Sequence, residues 1–172
     1  MIKATDVNAL LKLMQQESRN DGGSFHFTRI DLPDGEDLVE RLRGYFKQIK
    51  KYQDPFIFID STEPRRYLAD LDVKNLEIHP DDHIEEWVDD KLRTWSFSPG
   101  SVTRKKTVTE KYADGEVAFK KAFFQFLEEN DPVKAYILDG IDTYFAWGDH
   151  MNDDLIFETA AGVFVLHFGL SS

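Results

Sequence analysis

Apolar residues recur every three or four positions in several stretches of the chain, which is the spacing of an amphipathic helix. The first stretch ends at residues 20–23, Asn-Asp-Gly-Gly, and the second follows the turn at residues 33–35. A third follows Pro80, which suits the first position of a helix, and a fourth ends at residues 130–132. We predict helices whose inward-facing residues are Val7, Leu10, Leu11 and Met14; Leu38, Leu42, Tyr45, Phe46 and Ile49; Ile84, Trp87, Val88, Leu92 and Trp95; and Phe119, Phe123, Phe126 and Leu127.

Other stretches have the short apolar or alternating patterns of strands. Residues 24–31 are weakly strand-like, and residues 56–60 predict a buried strand. Residues 102–112 alternate β-branched with charged side chains, which predicts an exposed strand before a turn at Asp114-Gly115. From residue 134 onward, four short aromatic or β-branched runs follow one another. Because runs joined by such short turns pair antiparallel, we predict a β-meander there.

Length and composition favour one folded unit. A chain of 172 residues can bury about two-thirds of its unfolded surface, and no repeat or linker divides it. The composition is 41% hydrophobic and includes fourteen phenylalanines, which require an interior. The predicted fold is therefore a single α+β domain over residues 1–172, with amphipathic helices concentrated in the N-terminal two-thirds and an antiparallel β-meander at the C-terminus.

The charge balance narrows the class of partner. The formal net charge is −11 and the isoelectric point is near 4.8, so phosphate backbones and anionic membrane surfaces would be repelled. A basic protein is the expected partner. The absence of cysteine excludes disulfides, thiol nucleophiles and cysteine-ligated metal sites, and it fits a reducing cytosol. No export signal or membrane anchor is expected, so we predict a soluble, cytoplasmic protein.

Residues 147–157, WGDHMNDDLIF, concentrate carboxylates, an amide and a histidine. Their Gly-Asp-x-x-Asn-Asp pattern resembles the fourth motif of haloacid dehalogenase-like phosphatases, and Asp70 and Asp72 offer the Asp-x-Asp pair that such enzymes use as nucleophile and acid–base group. The resemblance implies Mg²⁺ held by Asp149 and Asp153. The chain departs from the family at Lys74, where threonine is usual, and in the two strand-like runs that follow the motif in place of a helix.

This segment therefore supports two interpretations. The leading one is an exposed loop between two meander strands, which would bind a divalent ion at most adventitiously, because Met151 falls where a calcium loop needs a ligand and no glutamate closes the loop. The alternative is a metal-dependent hydrolase or phosphatase that uses Asp149, His150, Asp153 and Asp154, with His167 from the neighbouring strand.

The remaining histidines give weaker signals. His79 and His83 lie four residues apart, the spacing at which two histidines on one helix share a metal ion. If Pro80 begins the helix, however, His79 has cap geometry and the two rings need not converge. We expect His26 and His167 on the polar sides of strands, and no serine has a nucleophile setting. No metal, cofactor or catalytic residue is predicted.

The predicted helix after Pro80 carries six acids: Asp81, Asp82, Glu85, Glu86, Asp89 and Asp90. Like charges four residues apart destabilise an isolated helix by a few tenths of a kcal/mol per pair, so something must offset them. One explanation is internal pairing with Arg104, Lys105 and Lys106 or with the basic second helix. The other is an electronegative face that recruits a basic partner.

We expect a small, acidic, non-enzymatic binding protein, as an immunity protein against a nuclease-like toxin would be. Size, acidity and the lack of a catalytic signature support this by analogy, and the oligomeric state stays open. The residues predicted to contact the partner are Asp82, Glu85, Glu86, Asp89, Asp90, Asp149, Asp153 and Asp154.

Overall fold

The computed structural model describes residues 1–17, 23–52, 73–95, 105–140 and 151–170. The elements within these ranges are, in chain order, α1 (Ala4–Glu17), β1 (Gly23–Ile30), α2 (Leu38–Tyr52), a 3₁₀ turn (Val73–Asn75), β2 (Glu77–Pro80), α3 (Ile84–Trp95), α4 (Lys105–Glu129), β3 (Lys134–Asp139), β4 (Met151–Thr159) and β5 (Gly162–Leu170). The predicted α+β class is confirmed, with helices mostly in the earlier part and strands toward the C-terminus.

The strands of the described residues form one antiparallel sheet in the order β1-β5-β4-β3-β2. The consecutive strands β3, β4 and β5 are the predicted C-terminal meander. Strand β1 adds to one edge and β2 to the other. The second predicted run of the meander, residues 142–148, and the predicted strand over residues 56–60 lie outside the described residues.

Helices cover both faces of the sheet. We call one the three-helix face, because α1, α3 and α4 pack there, and the other the α2 face. On the three-helix face the Phe27 ring contacts the rings of Phe123, Phe126, Phe157 and Phe164. On the α2 face, the buried side chains are Ile30, Leu42, Phe46, Leu76, Ile156, Val163 and Val165. Burial on both faces explains why β4 and β5 contain continuous apolar runs.

The edge strand β1 is protected by side chains of α1. The backbone N–H of Phe25 donates to Gln15 Oε1 at 2.8 Å, and that of Phe27 donates to Asn8 Oδ1 at 2.9 Å. An edge strand otherwise presents unpaired backbone groups to solvent or to another chain. Two amide side chains on one helix therefore both satisfy this edge and fix α1 against it.

Helix α4 corrects the prediction of an exposed strand over residues 102–112 from residue 105 onward, and residues 102–104 lie outside the described residues. Residues 105–129 form one continuous helix, and Asp114-Gly115 lies inside it instead of forming a turn. Packing against α1 explains the difference: a Cβ at Gly115 would lie 3.0 Å from Met14 Cγ, so the glycine lets the two helices approach closely. This long-range contact outweighs the local strand preference of the β-branched residues.

The start of α3 also differs from the prediction. Pro80 ends β2 instead of beginning a helix, and a proline suits the end of a short edge strand because it donates no ladder hydrogen bond. A turn follows, in which Asp81 Oδ1 accepts from the backbone N–H of His83 at 2.8 Å. The first helical turn then closes with Trp87 N–H donating to the His83 carbonyl at 3.0 Å. Among the described residues, no helix is both long and apolar enough to cross a membrane.

Candidate functional site

Strand β4 places the two adjacent carboxylates Asp153 and Asp154 on opposite faces of the sheet. The prediction of an exposed loop is wrong at these positions, because both residues lie in β4 and pair with β5. Asp153 points to the three-helix face, where Oδ2 accepts from Trp95 Nε1 at 2.9 Å and Oδ1 lies 3.0 Å from Lys91 Nζ. Asp154 points to the α2 face, since successive side chains of a strand alternate.

On the α2 face, a row of polar side chains crosses three neighbouring strands. We call it the His–Asp row; it consists of His26 on β1, His167 on β5, and Asp154 and Asn152 on β4. His167 Nδ1 lies 2.6 Å from Asp154 Oδ1, and Asn152 Nδ2 donates to the other oxygen at 2.5 Å. The rings of His26 and His167 stack with centroids 4.6 Å apart. A carboxylate only accepts, so Nδ1 of His167 carries the shared proton.

The His–Asp row is buried. The exposed fraction is 8% for His26, 4% for Asp154 and 0% for His167, so the polar side of the strands on which both histidines lie is buried here and does not face solvent. Burial, and then the charges of His167 and Lys12, lower the pKa of His26 to about 3. Thr28 Oγ1 lies 3.3 Å from its Nδ1. His26 is therefore neutral at physiological pH.

Burial decides what the row can do. A histidine oriented by a carboxylate occurs in many acid–base sites, but the histidine of such a site must be able to contact the substrate. The side chains of His167 and Asp154 are 0% and 1% exposed. Their hydrogen bonds instead join β4 to β5 and specify the register of the two strands. Asp154 is likewise too deeply buried to contact a partner in this conformation.

Of the predicted hydrolase cluster, the described residues bring together Asp154 and His167 but do not add Asp153 to them. Asp153 and Asp154 face opposite sides of β4, so they cannot ligate one ion, while Asp149 and His150 lie outside the described residues, as do Asp70 and Asp72. Within the described ranges, no three histidine or acidic residues are grouped as metal ligands. The antiparallel sheet also differs from the doubly wound architecture that the phosphatase resemblance implies.

Comparison with protein-family models, with curated proteins and with solved structures gives no match. Function therefore has to be inferred from the geometry of the chain itself.

His79 and His83 do not form a helical pair. His79 lies in β2, where its Nε2 is 3.6 Å from Glu77 Oε2 and 3.9 Å from Asp139 Oδ2. His83 precedes α3 and is exposed. The two residues thus belong to different elements, which removes the helical spacing on which a shared ion would depend.

Helix α3 divides the predicted acids into paired and outward-facing groups. Val88, Leu92 and Trp95 face the core. Asp89 forms an ion pair with Lys120 of α4. The outward-facing carboxylates belong to Asp82, just before the helix, and to Glu85, Glu86 and Asp90; we call these four residues the acidic face.

Lys120 of α4 is the internal base that pairs with an acid of α3, and the sequence pattern did not suggest it. Lys120 has its pKa raised, first by its side-chain hydrogen bond to Asp89 and also by the charges of Glu85 and Glu116. The basic helix α2 packs on the opposite face of the sheet, so the prediction that it could lie beside α3 is wrong. Arg104 and the side chains of Lys105 and Lys106 lie outside the described part.

Proposed function

We propose that this protein is a non-enzymatic binding protein that recognises a basic protein through the acidic face of α3. The observation that carries the proposal is the outward display of Asp82, Glu85 and Glu86, none of which has a base within ion-pair distance among the described residues. Asp90 adds a fourth exposed carboxylate, 3.7 Å from Lys91 Nζ. Like charges arranged in this way cost stability, so their display favours a role outside the fold.

The acidic face is held rigidly from the inside. On the inner side of α3, Trp95 and Lys91 both bind Asp153 of the sheet, at 2.9 Å and 3.0 Å. The ion pair between Asp89 and Lys120 ties the same helix to α4. A surface that is already ordered loses little conformational entropy on binding, so more of the interaction energy appears as affinity.

The charge of the face defines the chemistry of the partner. A cluster of carboxylates attracts a surface rich in lysine and arginine and speeds the encounter between the two proteins. Nuclease-like toxins have such surfaces, because they must bind phosphate backbones. An immunity protein of this kind would act in the cytoplasm by covering that basic surface before it reaches nucleic acid.

The experiment measures binding to the protein encoded by the neighbouring gene, with lysozyme as an unrelated basic protein. The double variant Glu85→Lys with Glu86→Lys is compared with wild type. We expect the variant to bind the neighbouring protein at least about tenfold more weakly, mainly through slower association and with a weaker dependence on salt. Its free energy of unfolding should change by less than about 0.5 kcal/mol, because neither side chain lies within ion-pair distance of a base among the described residues and the charge of Glu85 acts on Lys120 only at longer range.

A matched control makes the same charge change on another helix. Asp114→Lys with Glu128→Lys alters two exposed acids of α4 and should leave association nearly unchanged. Equal losses of affinity in the two double variants would mean that net charge, and not the acidic face, governs binding. Failure of wild type to bind the neighbouring protein more tightly than lysozyme would overturn the proposal.

A further inference from the structure

An open cavity of about 280 Å³ lies where the end of β1, the β4–β5 turn and the first half of α2 meet. Two arginines, Arg29 and Arg41, line it together with the carboxylates of Asp31 and Glu158. Two arginines therefore line one cavity in a chain with a net charge of −11. The apolar part of the lining belongs to the α2 face, so the cavity is separate from α3 and independent of the binding role proposed for it.

Two glycines, one in the segment before α2 and one at the start of β5, make room for the two arginines. A Cβ at Gly35 would lie 2.8 Å from Cγ of Arg41, which is closer than such atoms approach. A Cβ at Gly162 would lie 3.1 Å from Nε of Arg29, and Gly162 has a φ of +127°, which side-chain-bearing residues rarely adopt. Each arginine side chain therefore passes closely over a glycine, where a larger residue would displace it.

The hydrogen bonds leave guanidinium donors available at the cavity. Arg41 Nε donates to the Pro33 carbonyl at 3.2 Å, which orients the planar group. Its terminal nitrogens form no hydrogen bond or ion pair with another described residue. Arg29 Nε lies 3.7 Å from Asp31 Oδ1, but the two side chains are 62% and 95% exposed, so this ion pair is weak. A guanidinium has five N–H donors, of which these contacts use few.

We propose that this cavity binds a small oxyanion, a carboxylate or a phosphate group, between Arg29 and Arg41. The planar guanidinium fork matches both groups and can donate to two oxygens at once. The volume lies just below that of typical small-molecule sites, which suits a single anionic group better than a whole nucleotide. Asp31 and Glu158 oppose an anion, so the expected dissociation constant is about 1 mM or weaker.

The test titrates the full chain with inorganic phosphate in one arm and with succinate in the other, at constant ionic strength. NMR follows the Nε–Hε signals of the arginines and the backbone amides of residues 158–163. We expect saturable shifts confined to these signals, and the anion that saturates at the lower concentration identifies the source of the oxyanion. Arg41→Lys keeps the charge but removes the fork, so it should weaken binding about tenfold.

Two further variants distinguish a specific anion site from nonspecific attraction of the anion to positive charge. Arg29→Gln should also weaken binding about tenfold, and it keeps the test valid if Arg41→Lys fails to fold, because the Arg29 side chain is largely exposed. Lys121→Gln removes one exposed positive charge from α4 and should leave binding unchanged. The proposal is overturned if neither anion gives saturable shifts, or if Arg29→Gln binds as wild type does. In that case the arginines only neutralise Asp31 and Glu158.

Discussion

Acidification should destabilise the protein through His26. Burial and the charges of His167 and Lys12 lower the pKa of this histidine to about 3 in the folded state, whereas an unfolded chain binds the proton with a pKa of about 6.5. Because the folded pKa is the lower one, the unfolded state takes up the proton first as the pH falls. The free energy of unfolding therefore decreases from about pH 7 downward and continues to decrease until the pH reaches about 3.

The difference between the folded and unfolded pKa of His26 determines how much stability is lost on acidification. Each pH unit between the two pKa values is worth about 1.4 kcal/mol, so the whole interval corresponds to about 5 kcal/mol, comparable with the total stability of many domains. A practical experiment covers only part of it. Between about pH 7.5 and about pH 5, proton uptake by the unfolded state alone removes about 2 kcal/mol.

Urea unfolding at these two pH values tests the reasoning in wild type, in His26→Gln and in His83→Gln. Glutamine keeps a polar side chain but does not titrate. We expect wild type to lose about 2 kcal/mol more than His26→Gln over the interval. His83 is exposed, so His83→Gln should follow wild type. An equal pH dependence in wild type and His26→Gln would refute the reasoning, as would a His26 ring whose NMR signal titrates near pH 6.5.

Two further substitutions test the packing. Phe27→Ala should lower the free energy of unfolding by about 3–5 kcal/mol, because the ring is 1% exposed and contacts four other rings. Trp87→Ala should lower it by less, because that side chain is only partly buried. Urea unfolding that gives the reverse order would contradict the assigned core. Gly140→Ala should lower the free energy of unfolding by at least about 2 kcal/mol, because Gly140 has a φ of +78° and a Cβ there would lie 1.8 Å from the Asn75 carbonyl oxygen. An unchanged thermal melt would contradict this and would show that the turn before β2 and the end of β3 can move apart without loss of stability.

Regular spacing made three of the helices predictable. In α1, α2 and α3 a single apolar stripe faces the sheet, so the sequence alone carries the period of the helix. The first half of α4 could not be predicted in this way. Its local sequence favours a strand, and its conformation depends on the approach of α1 at Gly115, a contact between residues a hundred positions apart.

The His–Asp row was partly encoded in the sequence. Once Thr159 pairs with Gly162 across the turn, each step back along β4 is matched by one step forward along β5, so Asp154 falls opposite His167. A histidine and a carboxylate at matched hairpin positions were therefore a usable signal. The position of His26 beside them could not be derived, because β1 joins β5 from the far end of the chain and its register depends on the assembled sheet.

Whether an acidic residue of this chain is paired within the fold or exposed depends on the direction in which its side chain points. The net charge therefore overstates the charge that is available to attract a partner. Asp153 and Asp154 are neighbours in sequence, but one is held by Lys91 and Trp95 and the other by His167. Asp89 is likewise held by Lys120. Charge used in this way stabilises the fold and exerts little attraction at a distance, since its partner's field opposes it. Any electrostatic recognition by the described part of this protein must therefore come mainly from acids that lack such partners, which around α3 are Asp82, Glu85 and Glu86, whereas Asp90 lies near Lys91.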